Sequence, residues 1–172
     1  MSDFRILGPD RCLELILAWA EADWPMSREQ AQFIALGLGW LTIAGMSRHF
    51  CSELSSGEPD CNLGELRWNI SGIDFPLSKR ASGEEIAKAE AAILSLATEL
   101  ERRVTERYGE PQRSELEEDG IRSYKWTLCS GLSFDVFYTH KMIHVTITSP
   151  ARNKLLTTAR AYLEENRESE EL

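Results

Sequence analysis

The chain has 172 residues and carries 19 Lys and Arg against 28 Asp and Glu, a formal net charge of −9. That length suits one domain, and a hydrophobic fraction of 42% supplies a core. The acidity repels phosphate backbones and favours cationic partners, so no nucleic-acid partner is expected. Met1-Ser2-Asp3-Phe4-Arg5 lacks the basic segment and apolar run of a secretory signal. The longest greasy stretch, from Cys12 to Ala20, contains Glu14 and is too short to span a bilayer, so no membrane partner is expected either. Four cysteines in a chain this long define no disulfide framework, and the expected address is the cytoplasm with reduced thiols.

Asp10 is placed to cap a first helix carrying Leu13, Leu15, Ile16, Leu17, Trp19 and Ala20, which stops before Trp24-Pro25. Ser27 and Gln30 form a capping box for a second helix, weakened at its end by Gly37 and Gly39. Strands are expected over Trp40-Leu41-Thr42-Ile43 and from His49 to Leu54, then a polar loop from Ser55 to Gly64. Leu66, Trp68 and Ile70 alternate, so a strand is expected through them until Pro76 ends it. Ser82 and Glu85 form a second capping box, and Ile86, Ile93, Ala97, Leu100 and Val104 recur on one face of a long helix closed by Gly109 and Pro111.

Three strands follow between Ile121 and Ile147. Tyr124, Trp126 and Leu128 alternate, then Leu132, Phe134, Val136 and Tyr138, then Ile143, Val145 and Ile147. Even-numbered stripes on both sides of Cys129-Ser130-Gly131 require an odd loop, which three residues with Gly131 left-handed provide. The next stripe is odd-numbered, so the turn at His140-Lys141 is even. These lengths put Lys125, Asp135 and Thr146 in one row on the wetter face, with Phe137 beside His144. Ser149-Pro150 opens a last helix holding Leu155, Leu156, Ala159, Tyr162 and Leu163. The expected architecture is a single α+β domain over residues 1–165, with an acidic, frayed tail over 166–172. Its antiparallel sheet has about five to six strands, and the long central helix and the terminal helices pack on one face.

Few residues point to chemistry. Ser133, Asp135 and His144 can share the wet face, but strand neighbours on a flat surface lack a nucleophile elbow and an oxyanion pocket. A Lys125–Asp135 cross-strand pair explains the acid more simply. His49, Cys51 and Cys61, with His140 or His144, are the candidate metal ligands, but the chain has no Cys-x-x-Cys and no tight ligand spacing, so no metal or other cofactor is expected. Cys12 and Cys129 lie in apolar segments and read as small core residues. Gly37-Leu38-Gly39 lacks the rest of a phosphate-binding loop.

The distribution of acid is more informative. Between His49 and Leu66 stand Glu53, Glu58, Asp60 and Glu65 with no Lys or Arg, and from Glu110 to Asp119 five acids stand against Arg113. From Glu164 to Leu172 five acids again face only Arg167. Solvated loops explain such runs. If the first two converge at one sheet edge, Glu53, Glu58, Asp60, Glu65, Glu115, Glu117, Glu118 and Asp119 make a negative surface for a basic protein. Trp24, Trp40 and Trp68 are expected in the core, with partner anchoring as the alternative role.

Tyr108-Gly109-Glu110-Pro111, followed by Tyr124-Lys125-Trp126, an alternating hairpin and Thr148-Ser149-Pro150, resembles the C-terminal half of small uncharacterised actinobacterial proteins of a domain-of-unknown-function family. The Asp23-Trp24 and Gly39-Trp40 pairs resemble their N-terminal half. That family is similar in size and composition to immunity proteins of polymorphic-toxin loci, and no functional residues transfer from it. The order of helices and strands also resembles type III secretion chaperones, which dimerise and wrap an effector segment, although the split N-terminal helical region departs from them. The leading expectation is therefore a non-enzymatic binding module, an immunity protein that occludes the cleft of a cationic toxin domain. A chaperone holding a secreted effector is the alternative, and a small hydrolase or ligand-binding protein the second. The sequence carries no signal of oligomeric state.

Overall fold

The computed structural model describes residues 4–116 and 120–170. Eight strands form a single antiparallel sheet in the order β1-β2-β3-β4-β8-β7-β6-β5, with four α-helices around it. The helices are α1 (Pro9–Ala20), α2 (Arg28–Gly37), α3 (Ile86–Tyr108) and α4 (Pro150–Glu170). The strands are β1 (Leu41–Ile43), β2 (Met46–Cys51), β3 (Cys61–Leu66), β4 (Asn69–Pro76), β5 (Gln112–Leu116), β6 (Ile121–Thr127), β7 (Ser133–Tyr138) and β8 (Ile143–Thr148). Among the described residues no helix is long and apolar enough to cross a membrane.

The C-terminal half of the sheet has the expected register. Lys125 pairs with Asp135, Asp135 with Thr146, and Phe137 with His144. The Leu128 N–H donates to the Leu132 carbonyl across Cys129-Ser130-Gly131, the Gly131 N–H donates back to the Leu128 carbonyl, and Gly131 takes φ +87°. Thr139 donates to the Met142 carbonyl across His140-Lys141. The alternation then buries Trp126, Phe134, Val136, Tyr138, Val145 and Ile147 on one face.

The strand count corrects the expected five to six to eight. The strand expected through Leu66, Trp68 and Ile70 is instead two strands with a two-residue turn between them. Leu66 pairs with Asn69, and Arg67 and Trp68 both take positive φ (49° and 72°). Such turns match the right-handed strand twist, and the geometry outweighs the strand preference of tryptophan. Trp68 is therefore not a core residue: it is 92% exposed at the turn tip. The polar stretch before it contributes β3, and Gln112–Leu116 pairs with β6 as an edge strand although every side chain in it is exposed.

The core lies between the sheet and the N-terminal helices with α3. α3 buries Ala89, Ile93, Leu96, Ala97, Leu100 and Val104, and Tyr108 meets Phe134 edge-on. α1 buries Cys12, Leu15, Ile16 and Trp19 and packs on α3 and β8. Its entry uses Gly8 and Pro9 without a side-chain cap, so Asp10 sits in the first turn and pairs with Arg103 at 2.5 Å. The Ser27–Gln30 and Ser82–Glu85 capping boxes are both formed, the second at a 3-10 turn leading into α3. Trp40 is buried against Trp19, Phe50 and Phe75. Cys129 departs from expectation: the hairpin tip holds it exposed.

α4 departs most. It was expected on the sheet, yet every side chain from Lys154 to Arg167 is exposed. Only its root is anchored. The Asn153 amide donates to the Gly131 carbonyl (2.8 Å) and meets the Ser133 hydroxyl (2.9 Å), and the Ser149 hydroxyl accepts from the Arg152 backbone N–H (3.1 Å).

Candidate functional site

The face of the sheet opposite the core carries a polar row that crosses six strands. Lys125, Asp135, Thr146, Asp74, Asn62 and His49 are successive cross-strand partners from β6 to β2. The Thr146 hydroxyl donates to Asp74 at 2.7 Å, and in the next row the His144 ring lies 5.2 Å from that of Phe137. Burial raises the Asp135 carboxyl above its usual range, with Lys125 opposing the shift. Burial also lowers the His144 imidazole, against the pull of Asp74 and Asp60. Ser133, Asp135 and His144 do not assemble as a nucleophile, base and orienter. The Ser133 hydroxyl is fully buried against Asn153, Asp135 lies between Lys125 and Thr146, and His144 stacks beside Phe137.

Among the described residues no three His, Cys, Asp or Glu side chains approach closely enough to hold a metal ion. His49 and Cys61 sit on paired strands, but the Cys61 thiol is buried against Asp60 and strongly raised by that burial, which disfavours the thiolate a metal needs. Cys12 is similar: burial pushes its thiol up to about 12.

Among the described residues the two acidic runs stand apart. β3 and β5 stand five positions apart in the sheet, with β5 at the far edge. Four of the five candidate acids among the described residues already have partners within the fold. Glu53 pairs with Arg11 (2.7 Å), Glu65 takes both Nε and Nη2 of Arg28 (2.6 and 2.8 Å), and Glu115 pairs with Arg122 (3.0 Å). Asp60 accepts from the backbone N–H and the hydroxyl of Ser52 (2.6 and 2.5 Å), which closes the β2–β3 loop. Glu58 is exposed, and Glu117, Glu118 and Asp119 lie outside the described residues.

The acidic surface that the fold does assemble lies elsewhere, between α1 and α2. An open groove of about 920 Å³ runs there over a floor that includes Leu17, Ala18, Met26, Ile34 and Leu38. Phe33 stands at its side, 80% exposed. Its rim carries Glu14, Glu21, Asp23 and Glu29, and no Lys or Arg lines it. Glu14 and Glu21 are partly neutralised from behind. Arg11 reaches Glu14 at 2.8 Å, and the Tyr108 hydroxyl together with Arg107 holds Glu21 below the usual carboxylate range. No ion pair among the described residues reaches Asp23 or Glu29.

Sequence reasoning missed this groove. Its signal is present only as spacing: Glu14 and Glu21 are seven residues apart beside Leu17 and Ala18, and Glu29 is four residues before Phe33. Such pairs share a helix face. Nothing in the order of residues says that the two faces meet.

No curated protein and no solved structure matches the chain. A family model, described as a family of unknown function (DUF6301), matches residues 10–149, from the first turn of α1 to the residue before α4. The match spans most of the chain and every strand of the sheet, and the chain belongs to that family.

Proposed function

We propose that the chain is a non-enzymatic protein-binding module that takes a cationic protein partner, as an immunity protein covers the cleft of a basic toxin domain. The α1–α2 groove carries this reading. It combines an apolar floor, an exposed aromatic anchor in Phe33 and a rim whose ionised groups are all carboxylates. Interfaces gain affinity from such a desolvated centre and gain rate and selectivity from a rim of one sign. Glu53, Glu65 and Glu115 contribute less, because an outside cation must compete with the arginine each already holds. Asp23 and Glu29 face no such competition.

Charge reversal tests the reading. The chain and its Asp23→Arg/Glu29→Arg variant are immobilised and offered a native-host lysate at low and high salt. The expected outcome is a basic protein retained by the parent chain at low salt, released by salt and lost from the variant. Phe33→Asp is expected to lose the same protein at every salt concentration, since it removes the apolar anchor. Equal retention by all three chains, or retention of no basic protein, overturns the reading.

A further inference from the structure

We propose that α4 is a self-association helix that pairs in parallel with α4 of a second copy. Leu155, Ala159 and Tyr162 recur at i, i+4 and i+7, with Leu156 and Leu163 beside them, so one face of the helix is apolar for about three turns. Among the described residues the stripe is left largely open: Leu155 is 54%, Leu156 44%, Tyr162 66% and Leu163 64% exposed, with Leu155 also lining a cavity beside Trp24 and Pro25. A helix standing free in water gains little from propensity alone, and helices in proteins are held chiefly by packing of the apolar face. The stripe therefore calls for a partner, and the charges along its borders specify which one.

At 100° per residue, Arg160 and Arg167 fall along one border of the stripe, and Thr158 and Glu165 along the other. Two parallel copies related by a two-fold axis place each border against the opposite border of the neighbour. Arg160 and Arg167 then bracket the partner's Glu165, and the same contact recurs on the other side of the pair. An antiparallel pair brings like borders together and sets Arg160 against the partner's Arg160, which is repulsive. Asn166 continues the central line of the stripe seven residues after Ala159, where a polar side chain fixes register and favours two strands. A single stripe of about three turns makes a small seam beside the ~1,000 Å² expected of a specific interface, so the pair is concentration-dependent rather than obligate. This pairing is independent of the α1–α2 groove.

Sedimentation equilibrium on the full chain over ~1–100 µM tests it, a span suited to a small interface. The expected result is a twofold rise in mass with concentration, absent in Leu163→Glu. Arg160→Glu and Glu165→Arg each weaken association about tenfold, a single repulsive contact counted on both sides of the pair. The double variant restores it. In a Cys129→Ser background, Ala159→Cys cross-links to itself under mild oxidation, as parallel in-register helices require. Leu163 and Ala159 are exposed, so at dilute concentration, where the parent is itself a monomer, circular dichroism and the melting temperature match the parent value and separate lost pairing from lost fold. A monomer across the whole range, a dimer indifferent to Leu163→Glu, or a double charge swap that fails to restore pairing overturns the proposal.

Discussion

α3 and α4 are near twins in length, 23 and 21 residues, and both carry an apolar face. One is buried along its stripe from Ala89 to Val104, while the other is exposed from Lys154 to Arg167 and meets the body only across an open cavity beside Trp24. The difference lies in what flanks each helix. α3 ends at Gly109, which turns the chain straight back into β5 and holds the helix across the sheet, with Trp126 donating to the Gly109 carbonyl at 3.0 Å. Within the described residues α4 makes no comparable turn back onto the sheet. Its root is pinned by Asn153 at the Gly131 hairpin, away from the apolar face that α1 and α3 already occupy. An amphipathic stripe therefore states that a helix has a face to cover, and the topology decides whether its own chain can cover it.

Substitutions in the two stripes sharpen the contrast most. Leu100→Ala, in the fully buried stripe of α3, is expected to lower unfolding free energy by about 2–5 kcal/mol in urea titrations. Leu163→Ala at dilute concentration is expected to change it by less than about 0.5 kcal/mol. Comparable losses at both sites would mean that α4 packs on its own body. Next in size is the root of α4. Asn153→Ala leaves the buried Ser133 hydroxyl without its partner and is expected to cost about 1–3 kcal/mol, whereas Thr157→Ala, one turn further out, costs nearly nothing.

Amide exchange makes a finer distinction. The α3 amides are expected to exchange only through global unfolding and those of α4 through local fraying, with α4 protection rising as protein concentration rises. Equal protection in a dilute sample would break the comparison.

The smallest effect expected is the pH dependence of the sheet. The folded His144 imidazole lies below its ordinary value of 6.5, so its contribution to stability is present above that pH and lost as pH falls through 6.5 toward the lowered folded value. Asp135 has the opposite sign, since its raised carboxyl favours the fold at acid pH and loses that contribution as pH rises past the carboxylate range. Thermal melts between pH 7 and 5 are expected to fall for the parent chain and to flatten for His144→Gln. α4, which shares neither group, is expected to keep its exchange rates after correction for intrinsic chemistry.

Legibility followed the same physical line. β6, β7 and β8 were readable because each buries one face, so period-two alternation and turn parity fix both side and register. Gly131 then had one conformation open to it. β3 and β5 were not readable. β3 contains Asn62, Gly64 and Glu65, and a Cβ at Gly64 would come within 2.9 Å of the Ser71 hydroxyl, which would have to rotate away. β5 is an exposed edge whose Gln112, Arg113 and Glu115 guard against pairing with other chains, and this defence removes the alternation that would reveal a strand. The Arg67-Trp68 turn lacks the glycine or asparagine that usually announces one. The groove was hidden for a different reason: its carboxylates come from two helices and the segment between them, and the periodicity of one helix does not say which other helix lies beside it.

The five tryptophans are distributed over four parts of this arrangement. Trp19 and Trp40 are 5.7 Å apart in the dry N-terminal core, with neither indole N–H donating a hydrogen bond. Trp126 stacks on Phe134 at 5.4 Å in the other half of the sheet, and Trp24 donates to the Trp19 carbonyl near the groove. Trp68 stands in water. Intrinsic fluorescence is thus a spatially resolved probe that needs no label. Blue emission comes from the two cores, red emission from one turn, and single Trp→Phe replacements turn each signal off in place.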